Sequence, residues 1–79
     1  LTKSLALELA PDIRVNGVSP GAALPPPNSD DSMDKMLSQV PLQRYGGADS
    51  IAEAVEYLAR AQYVTGQIIA VDGGRSINL

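Results

Sequence analysis

Residues 13–21, with the sequence Ile13-Arg14-Val15-Asn16-Gly17-Val18-Ser19-Pro20-Gly21, run from a strand pattern into a Pro-Gly turn. A second strand pattern, Gln67-Ile68-Ile69-Ala70-Val71, runs into Asp72-Gly73-Gly74. Its four consecutive apolar residues are typical of a parallel strand that is covered on both faces. Because ligands of open α/β sheets bind beyond the carboxyl ends of the strands, the Pro-Gly turn is predicted to present backbone groups to a ligand.

A helical pattern precedes each strand pattern. In residues 1–10 three leucines recur at every fourth position, which predicts an amphipathic helix that Pro11 ends. The residues after Gly46-Gly47 carry a second helical stripe, with Asp49 near its start and Glu56 four positions before Arg60. The apolar residues of this second stripe are Ile51, Ala52, Val55, Leu58 and Ala59.

Residues 22–40 are predicted to form a flap between the first strand and the second helix. Pro25-Pro26-Pro27 and the polar residues after them favour an extended, solvated loop. A short third helix is predicted from the spacing of Met33, Met36, Leu37 and Val40, and Pro41 ends it. Because thioether side chains adapt to ligands of different shape, this helix is expected either to wall a substrate pocket or to pack onto the domain. The candidate substrate residues are Leu24, Met33, Met36 and Leu37.

Length and composition limit the class of protein. A chain of 79 residues forms at most one small domain, and without cysteine or histidine it has no disulfide and no imidazole ligand to stabilise it. No metal site is predicted, because the carboxylates do not cluster. Since the chain also begins without methionine, we expect residues 1–79 to be a fragment of a single domain that needs the remainder of that domain.

Charge and hydropathy argue against nucleic-acid and membrane partners. The net charge is −3, the six basic residues are dispersed, and only three tyrosines, expected to be half-buried packing residues, are available for base stacking. The longest uninterrupted apolar run, residues 68–71, is far too short to span a bilayer. No signal-peptide core precedes the first helix, and a cytoplasmic location is expected.

Several short motifs occur in a fixed order with helices between them: Arg14 to Gly21, Pro41-Leu42-Gln43-Arg44, Tyr63-Val64-Thr65-Gly66 and Val71-Asp72-Gly73-Gly74. In this order they resemble the C-terminal third of the short-chain dehydrogenase/reductase family, and the resemblance covers almost the whole chain. It implies the C-terminal part of a doubly wound, parallel-sheet domain of the Rossmann type, with two strands and about three helices. Such a domain binds NAD(P) and transfers hydride between the nicotinamide and a carbonyl, alcohol or imine.

The resemblance also implies which residues meet the cofactor. Family members commonly place the nicotinamide carboxamide against the backbone after the Pro-Gly, so the predicted cofactor-binding residues are Pro20, Gly21, Ala22 and Ala23. Pro25 stands where many relatives carry a threonine, which removes a hydroxyl contact. No catalytic residue is predicted within the chain, because it contains no Tyr-x-x-x-Lys pair. By resemblance, that pair would lie just upstream of Leu1.

Three further motifs are interpreted as structural. Asn16 is expected to fix its strand by hydrogen bonding, and Arg44 to form a local salt bridge or to clamp carbonyl groups. Asp72-Gly73-Gly74 is expected to be a turn in which the glycines adopt positive φ.

Within the family, the chain is most similar to pteridine reductases, through Glu8-Leu9-Ala10-Pro11, Val40-Pro41-Leu42 and Val71 to Gly74 followed by Ser76. This similarity implies NADPH-dependent reduction of a C=N bond in a dihydropteridine or dihydrofolate, although Ala23 replaces a serine that those enzymes often carry. One alternative is a 3-oxoacyl carrier-protein reductase or broad ketone reductase. Another is a non-catalytic interaction module whose parent lacks the Tyr and Lys.

The tail Arg75-Ser76-Ile77-Asn78-Leu79 is too short to predict another element. In relatives this region lies at subunit contacts of tetramers. A homotetramer that buries Ile77 and Leu79 is therefore expected.

Overall fold

The computed structural model describes residues 1–21 and 37–77. Along the chain they form helix α1 (Thr2–Leu9), strand β1 (Gly17–Ser19), helix α2 (Gly47–Arg60), strand β2 (Ile68–Ala70) and a final 3-10 turn (Arg75–Ile77). The prediction of an α/β fold with two parallel strands is confirmed, because β1 pairs in parallel with β2. The predicted third helix lies mostly outside the described residues.

Helix α1 ends where the sequence predicts. Ala10 has extended backbone angles, and Pro11, which has no N–H and a fixed φ, follows it. The carbonyl oxygen of Leu9 then accepts hydrogen bonds from the N–H groups of Asp12 and Ile13, at 3.1 and 3.0 Å. The predicted leucine face is not buried in this part of the chain, since Ala6 is the buried residue of the helix and Leu1 is 94% exposed.

Both strands are shorter than their sequence patterns, with three residues each. Gly17 pairs with Ile68 and Ser19 with Ala70. Just before this register begins, a side chain accepts a hydrogen bond in place of a backbone carbonyl. The N–H of Val15 donates to the Thr65 hydroxyl oxygen at 3.1 Å. Gly66, with φ of +77°, bends the second segment at that point. The regular ladder therefore starts only at Gly17.

The described residues cover the strands only in part. Ile68 is 57% exposed and Ala70 is also exposed, so the prediction of a strand covered on both faces is wrong for this part of the chain. Among the described residues, the buried apolar side chains are Ala6, Val40 and Leu58. The consecutive apolar residues of β2 are thus typical of a strand against which more structure packs than residues 1–21 and 37–77 provide.

Helix α2 confirms the second helical prediction. Asp49 lies in its first turn, where a negative charge favours the helix dipole, and Glu56 forms the expected ion pair with Arg60 at 2.9 Å. Its apolar face is less buried than the pattern predicts, since Leu58 is buried whereas Val55 is 52% exposed. As in β2, apolar residues of α2 are therefore more exposed in this part of the chain than their sequence pattern predicts.

Two smaller predictions are corrected. Tyr63 is fully exposed and Tyr57 is 56% exposed, so neither is the half-buried packing residue expected from the composition. The tail does form an element, because the N–H of Ile77 donates to the Gly74 carbonyl at 3.1 Å and closes a 3-10 turn. Neither described helix is long and apolar enough to cross a membrane.

Candidate functional site

The carboxyl ends of β1 and β2 lie side by side. The pairing continues one step beyond the strands, because the N–H of Val71 donates to the Ser19 carbonyl at 2.8 Å. The next residues in register are Gly21 and Asp72, and they approach so closely that a Cβ added to Gly21 would lie 2.5 Å from the Cβ of Asp72. Parallel pairing therefore brings the Pro-Gly turn of the first strand against the Asp-Gly-Gly turn of the second.

Pro20 and Gly21 are both exposed at this edge. Neither makes a backbone hydrogen bond with another described residue. Gly21 carries no side chain to shield the backbone here. Exposed backbone groups of this kind can pair with the N–H and C=O groups of a planar amide.

The Asp72 carboxylate closes the second turn. One of its oxygens accepts a hydrogen bond from the Gly74 N–H and the other from the Ser76 N–H, each at 3.0 Å. The Ser76 hydroxyl also donates to it and is the main reason why the pKa of this carboxyl lies below its ordinary value, followed by the Gly74 N–H. Gly73 and Gly74 have φ of +64° and +93°, which confirms the predicted turn.

The chain returns to the same turn after residue 36. Val40, only 1% exposed, packs with its Cγ1 against Gly73, and Pro41 packs against Gly74. The Leu42 N–H donates to the Gly73 carbonyl at 3.0 Å. One turn beyond β2 thus contacts both Gly21 and the segment Val40 to Leu42.

Asn16 joins the two strand segments upstream of their ladder. Its amide nitrogen donates to the Val64 carbonyl at 2.9 Å, and its amide oxygen accepts from the Gln67 N–H at 3.0 Å. These two bonds confirm that Asn16 fixes the strand. Both polar atoms of the amide are thereby engaged in holding the two segments together.

Arg14 has a role that the sequence analysis missed. Its guanidinium donates to three carbonyl oxygens at the end of α2, those of Leu58, Ala61 and Ala59, at 2.8, 2.7 and 3.1 Å. The last carbonyls of a helix have no partners within it, and a positive charge there favours the helix dipole. A lone arginine inside an apolar strand pattern was the available indication, but the carbonyls it reaches lie more than forty residues away.

A cleft of about 690 Å³ lies between α2 and β2. Ile69, Val71 and Tyr57 line it, with Arg44 and Glu53 on its lining as well. Pro20 and Gly21 do not border it. Arg44 forms no hydrogen bond or ion pair with another described residue, so the predicted clamp has no support in this part of the chain.

Of the predicted substrate residues, Leu37 lies within the part of the chain that the structure describes. It is half-buried and lies three positions before Val40. The others lie outside the described residues, so their roles stay predictions: Ala22, Ala23, Leu24, Met33 and Met36. Within residues 1–21 and 37–77, no group of three acidic side chains is arranged to hold a metal ion.

The exposed edge offers peptide groups to a ligand. Asp72 lies against Gly21, and its carboxylate already accepts hydrogen bonds from the turn. The arrangement suits the orientation of a ligand amide at the sheet edge.

Comparison with known proteins identifies several close matches. A family profile described as enoyl-(acyl carrier protein) reductase matches residues 1–76. The 3-oxoacyl-(acyl-carrier-protein) reductase FabG of Staphylococcus epidermidis is 48% identical over 80 aligned residues, covering 94% of this chain and 33% of that protein.

Solved structures are similar over nearly the whole chain. FolM alternative dihydrofolate reductase 1 from Brucella canis, complexed with NADP, is 40% identical with a TM-score of 0.84, over 99% of this chain and 30% of that one. A short-chain dehydrogenase from Leptospira borgpetersenii with bound NAD+ is 37% identical with a TM-score of 0.86, over 95% of this chain and 30% of that one. The chain spans about a third of the length of these proteins.

Proposed function

Because the chain belongs to the short-chain dehydrogenase/reductase family, we propose that the whole protein is an NADPH-dependent reductase to which these residues contribute the nicotinamide-side edge of the site. The observation that carries the proposal is the exposed position of Pro20 and Gly21, at the carboxyl ends of two parallel strands. Crevices at such strand ends are where dinucleotides bind in folds of this kind.

The described residues fit a nicotinamide. Its carboxamide is planar, with one N–H side and one C=O side, and we propose that it pairs with exposed backbone groups of the segment that begins at Pro20 and Gly21. When bound, the cofactor supplies the hydride. The chain's own part is to hold the carboxamide so that the ring keeps one face toward the substrate, a task in which Ala22 and Ala23 are proposed to share.

Acid-base chemistry is assigned to residues outside this chain. No Tyr-x-x-x-Lys pair occurs in the sequence, and we propose that the remainder of the domain supplies it. Among the described residues, one edge of strand β1 has no pairing partner and is available to that remainder. Gly17 and Ser19 point their peptide groups at β2, so those of Val18 face the opposite side, where another strand can pair.

The first proposed substrate class is a pterin, of the dihydropteridine or dihydrofolate kind, reduced at a C=N bond. Similarity to FolM alternative dihydrofolate reductase 1, solved with NADP, supports this substrate and the choice of NADPH. Leu37, half-buried beside Val40, is proposed to line the substrate side together with Leu24, Met33 and Met36.

The second candidate substrate is a 3-oxoacyl thioester, reduced at its ketone. Similarity to the FabG reductase, at 48% identity, supports it. A carrier protein that delivers such a thioester is acidic in the usual case and would favour a basic surface, whereas the described basic residues here are dispersed.

One assay on the full-length protein separates these candidates. NADPH oxidation is followed by stopped-flow absorbance with dihydrobiopterin, dihydrofolate or an acetoacetyl thioester as the second substrate. Turnover with a pterin alone supports the first candidate, and turnover with the thioester alone supports the second. Absence of NADPH oxidation with every substrate contradicts the proposal and favours the non-catalytic interaction module, as does an upstream sequence without Tyr-x-x-x-Lys.

The assembly is proposed to be a homotetramer in the cytoplasm. Ile77, in the final 3-10 turn, is 80% exposed among the described residues and would be covered at a subunit contact. Light scattering on the full-length protein after size exclusion tests the assembly, and a monomer would contradict it.

A further inference from the structure

The turn Asp72-Gly73-Gly74 holds both ends of the chain that flank residues 22–36. On one side it touches Gly21, the last described residue before that segment. On the other side it packs against Val40 and Pro41 and accepts the hydrogen bond from the Leu42 N–H. This one turn therefore helps to fix the position of Gly21 and also that of the segment Val40 to Leu42.

The Asp72 carboxylate gives that turn its shape. Two successive glycines with positive φ have no side chains to restrain them, so the backbone there depends on external hydrogen bonds. Both carboxylate oxygens are used for this purpose, one on Gly74 and one on Ser76. Asp72 is itself buried, with 9% of its surface exposed, so water does not readily replace these bonds.

The contact with Gly21 transmits any change in the turn to the cofactor-facing backbone. The two residues approach more closely than a side chain at residue 21 would allow, since an added Cβ would lie 2.5 Å from the Cβ of Asp72. Protein interiors are close-packed, and a displaced side chain at such a contact moves its neighbour.

We propose that Asp72 is a positioning residue for the reductase site, acting through the turn it closes to set where Gly21 and the segment Val40 to Leu42 stand relative to each other. This inference rests on the proposed function. Asp72 touches neither cofactor nor substrate in this role. It determines how well the Gly21 backbone contacts the nicotinamide and where the segment Val40 to Leu42 begins.

The test compares Asp72→Asn with the full-length wild-type protein in steady-state NADPH oxidation. An asparagine turns one acceptor oxygen into an NH2 group, which faces a backbone N–H and cannot accept from it. The expected result is a several-fold rise in KM for NADPH together with a lower kcat. Asp49→Asn, at an exposed acidic residue in the first turn of α2, is the matched control and keeps both parameters.

The KM value separates positioning from a purely structural role. A variant that only loses folded protein shows a lower kcat in proportion to the folded fraction, with KM unchanged. That result for Asp72→Asn would overturn the inference. Ser76→Ala removes one hydroxyl donor to the same carboxylate, and it replaces Asp72→Asn as the test variant if Asp72→Asn does not fold. It is expected to raise the NADPH KM by a smaller factor, and an unchanged KM in this variant would also overturn the inference.

The wild-type protein distinguishes the two levels of failure. A wild-type protein that neither binds NADPH, measured by its fluorescence, nor oxidises it overturns the proposed function and the positioning role together. An active wild-type protein with an unaltered KM in either variant overturns the positioning role alone.

Discussion

Arg14 and Leu58, 44 residues apart in sequence, are joined by a hydrogen bond of 2.8 Å from the guanidinium to the carbonyl oxygen. The same guanidinium reaches two further carbonyls at the end of α2. Strand and helix are thus connected by a charged side chain that satisfies helix-end carbonyls as well as by apolar packing.

Replacing Arg14 is expected to destabilise the protein. Arg14→Ala leaves three carbonyls without their charged donor and should lower the free energy of unfolding by about 1–3 kcal/mol. Arg14→Lys should give an intermediate loss, because an ammonium group cannot span the three acceptors as a planar guanidinium does. Urea unfolding of the full-length protein measures both, with Lys3→Ala as an exposed cationic control. Equal stability of Arg14→Lys and the wild type would contradict the assigned geometry.

Asn16 is expected to be sensitive even to a change of one atom. Asn16→Ala removes both bonds between the strand segments and should cost about 1–2 kcal/mol. Asn16→Asp keeps an acceptor for the Gln67 N–H but places a carboxylate against the Val64 carbonyl at neutral pH. It should therefore be at least as destabilising as the alanine, in the same urea experiment. A neutral effect of Asn16→Asp would mean that the bond to Val64 is absent.

Gly21 and Gly17 form a matched pair for the cofactor-facing turn. Gly21→Ala forces its new Cβ away from Asp72 by about an ångström, and a shift of that size at a reacting centre lowers kcat/KM by about a hundredfold. At Gly17, an added Cβ would meet its nearest atoms at 3.5 Å, which is ordinary contact, so Gly17→Ala should keep its activity. NADPH oxidation by the two full-length variants makes the comparison. Equal activities would show that the close approach does not matter for turnover.

The pH dependence of stability follows from the lowered pKa of Asp72, caused first by the Ser76 hydroxyl and then by the Gly74 N–H. A carboxyl with a lower pKa in the folded state stabilises the protein above its unfolded pKa, about 3.9, and loses that contribution as pH falls through the folded value. The wild type should therefore be more stable than Asp72→Asn at neutral pH, and the gap should narrow below about pH 4. Urea titrations across this range measure the gap, and one that stays constant into acid would contradict the assignment.

Local patterns were sufficient to predict the elements of the fold. The apolar run at Ile68 to Val71 indicated a parallel strand, Pro11 marked the end of α1, and the glycines after Asp72 indicated positive φ. Each of these features depends on neighbours within a few residues. The lengths of the strands were overestimated, because the Thr65 hydroxyl and the Asn16 amide take the place of ladder bonds that sequence periodicity cannot distinguish from them.

Features that depend on register could not be predicted. The approach of Gly21 to Asp72 requires knowing that Gly17 pairs with Ile68, and the Arg14 contacts require knowing where α2 ends. Burial was overestimated for a different reason. An apolar pattern reflects all the surfaces that finally cover a residue, whereas the described residues supply only some of them, as the 57% exposure of Ile68 illustrates.

The parallel pairing of β1 with β2 also has a kinetic consequence. The hydrogen bonds of Asn16 to Val64 and Gln67 span 48 and 51 residues, so no short hairpin can nucleate the pair and grow by zippering. The entropy of closing a loop that long must be lost before any of these bonds forms, and such high contact order slows folding. Helical turns form and break within microseconds, and we therefore expect the sheet edge at Pro20 and Gly21 to be completed after the helices.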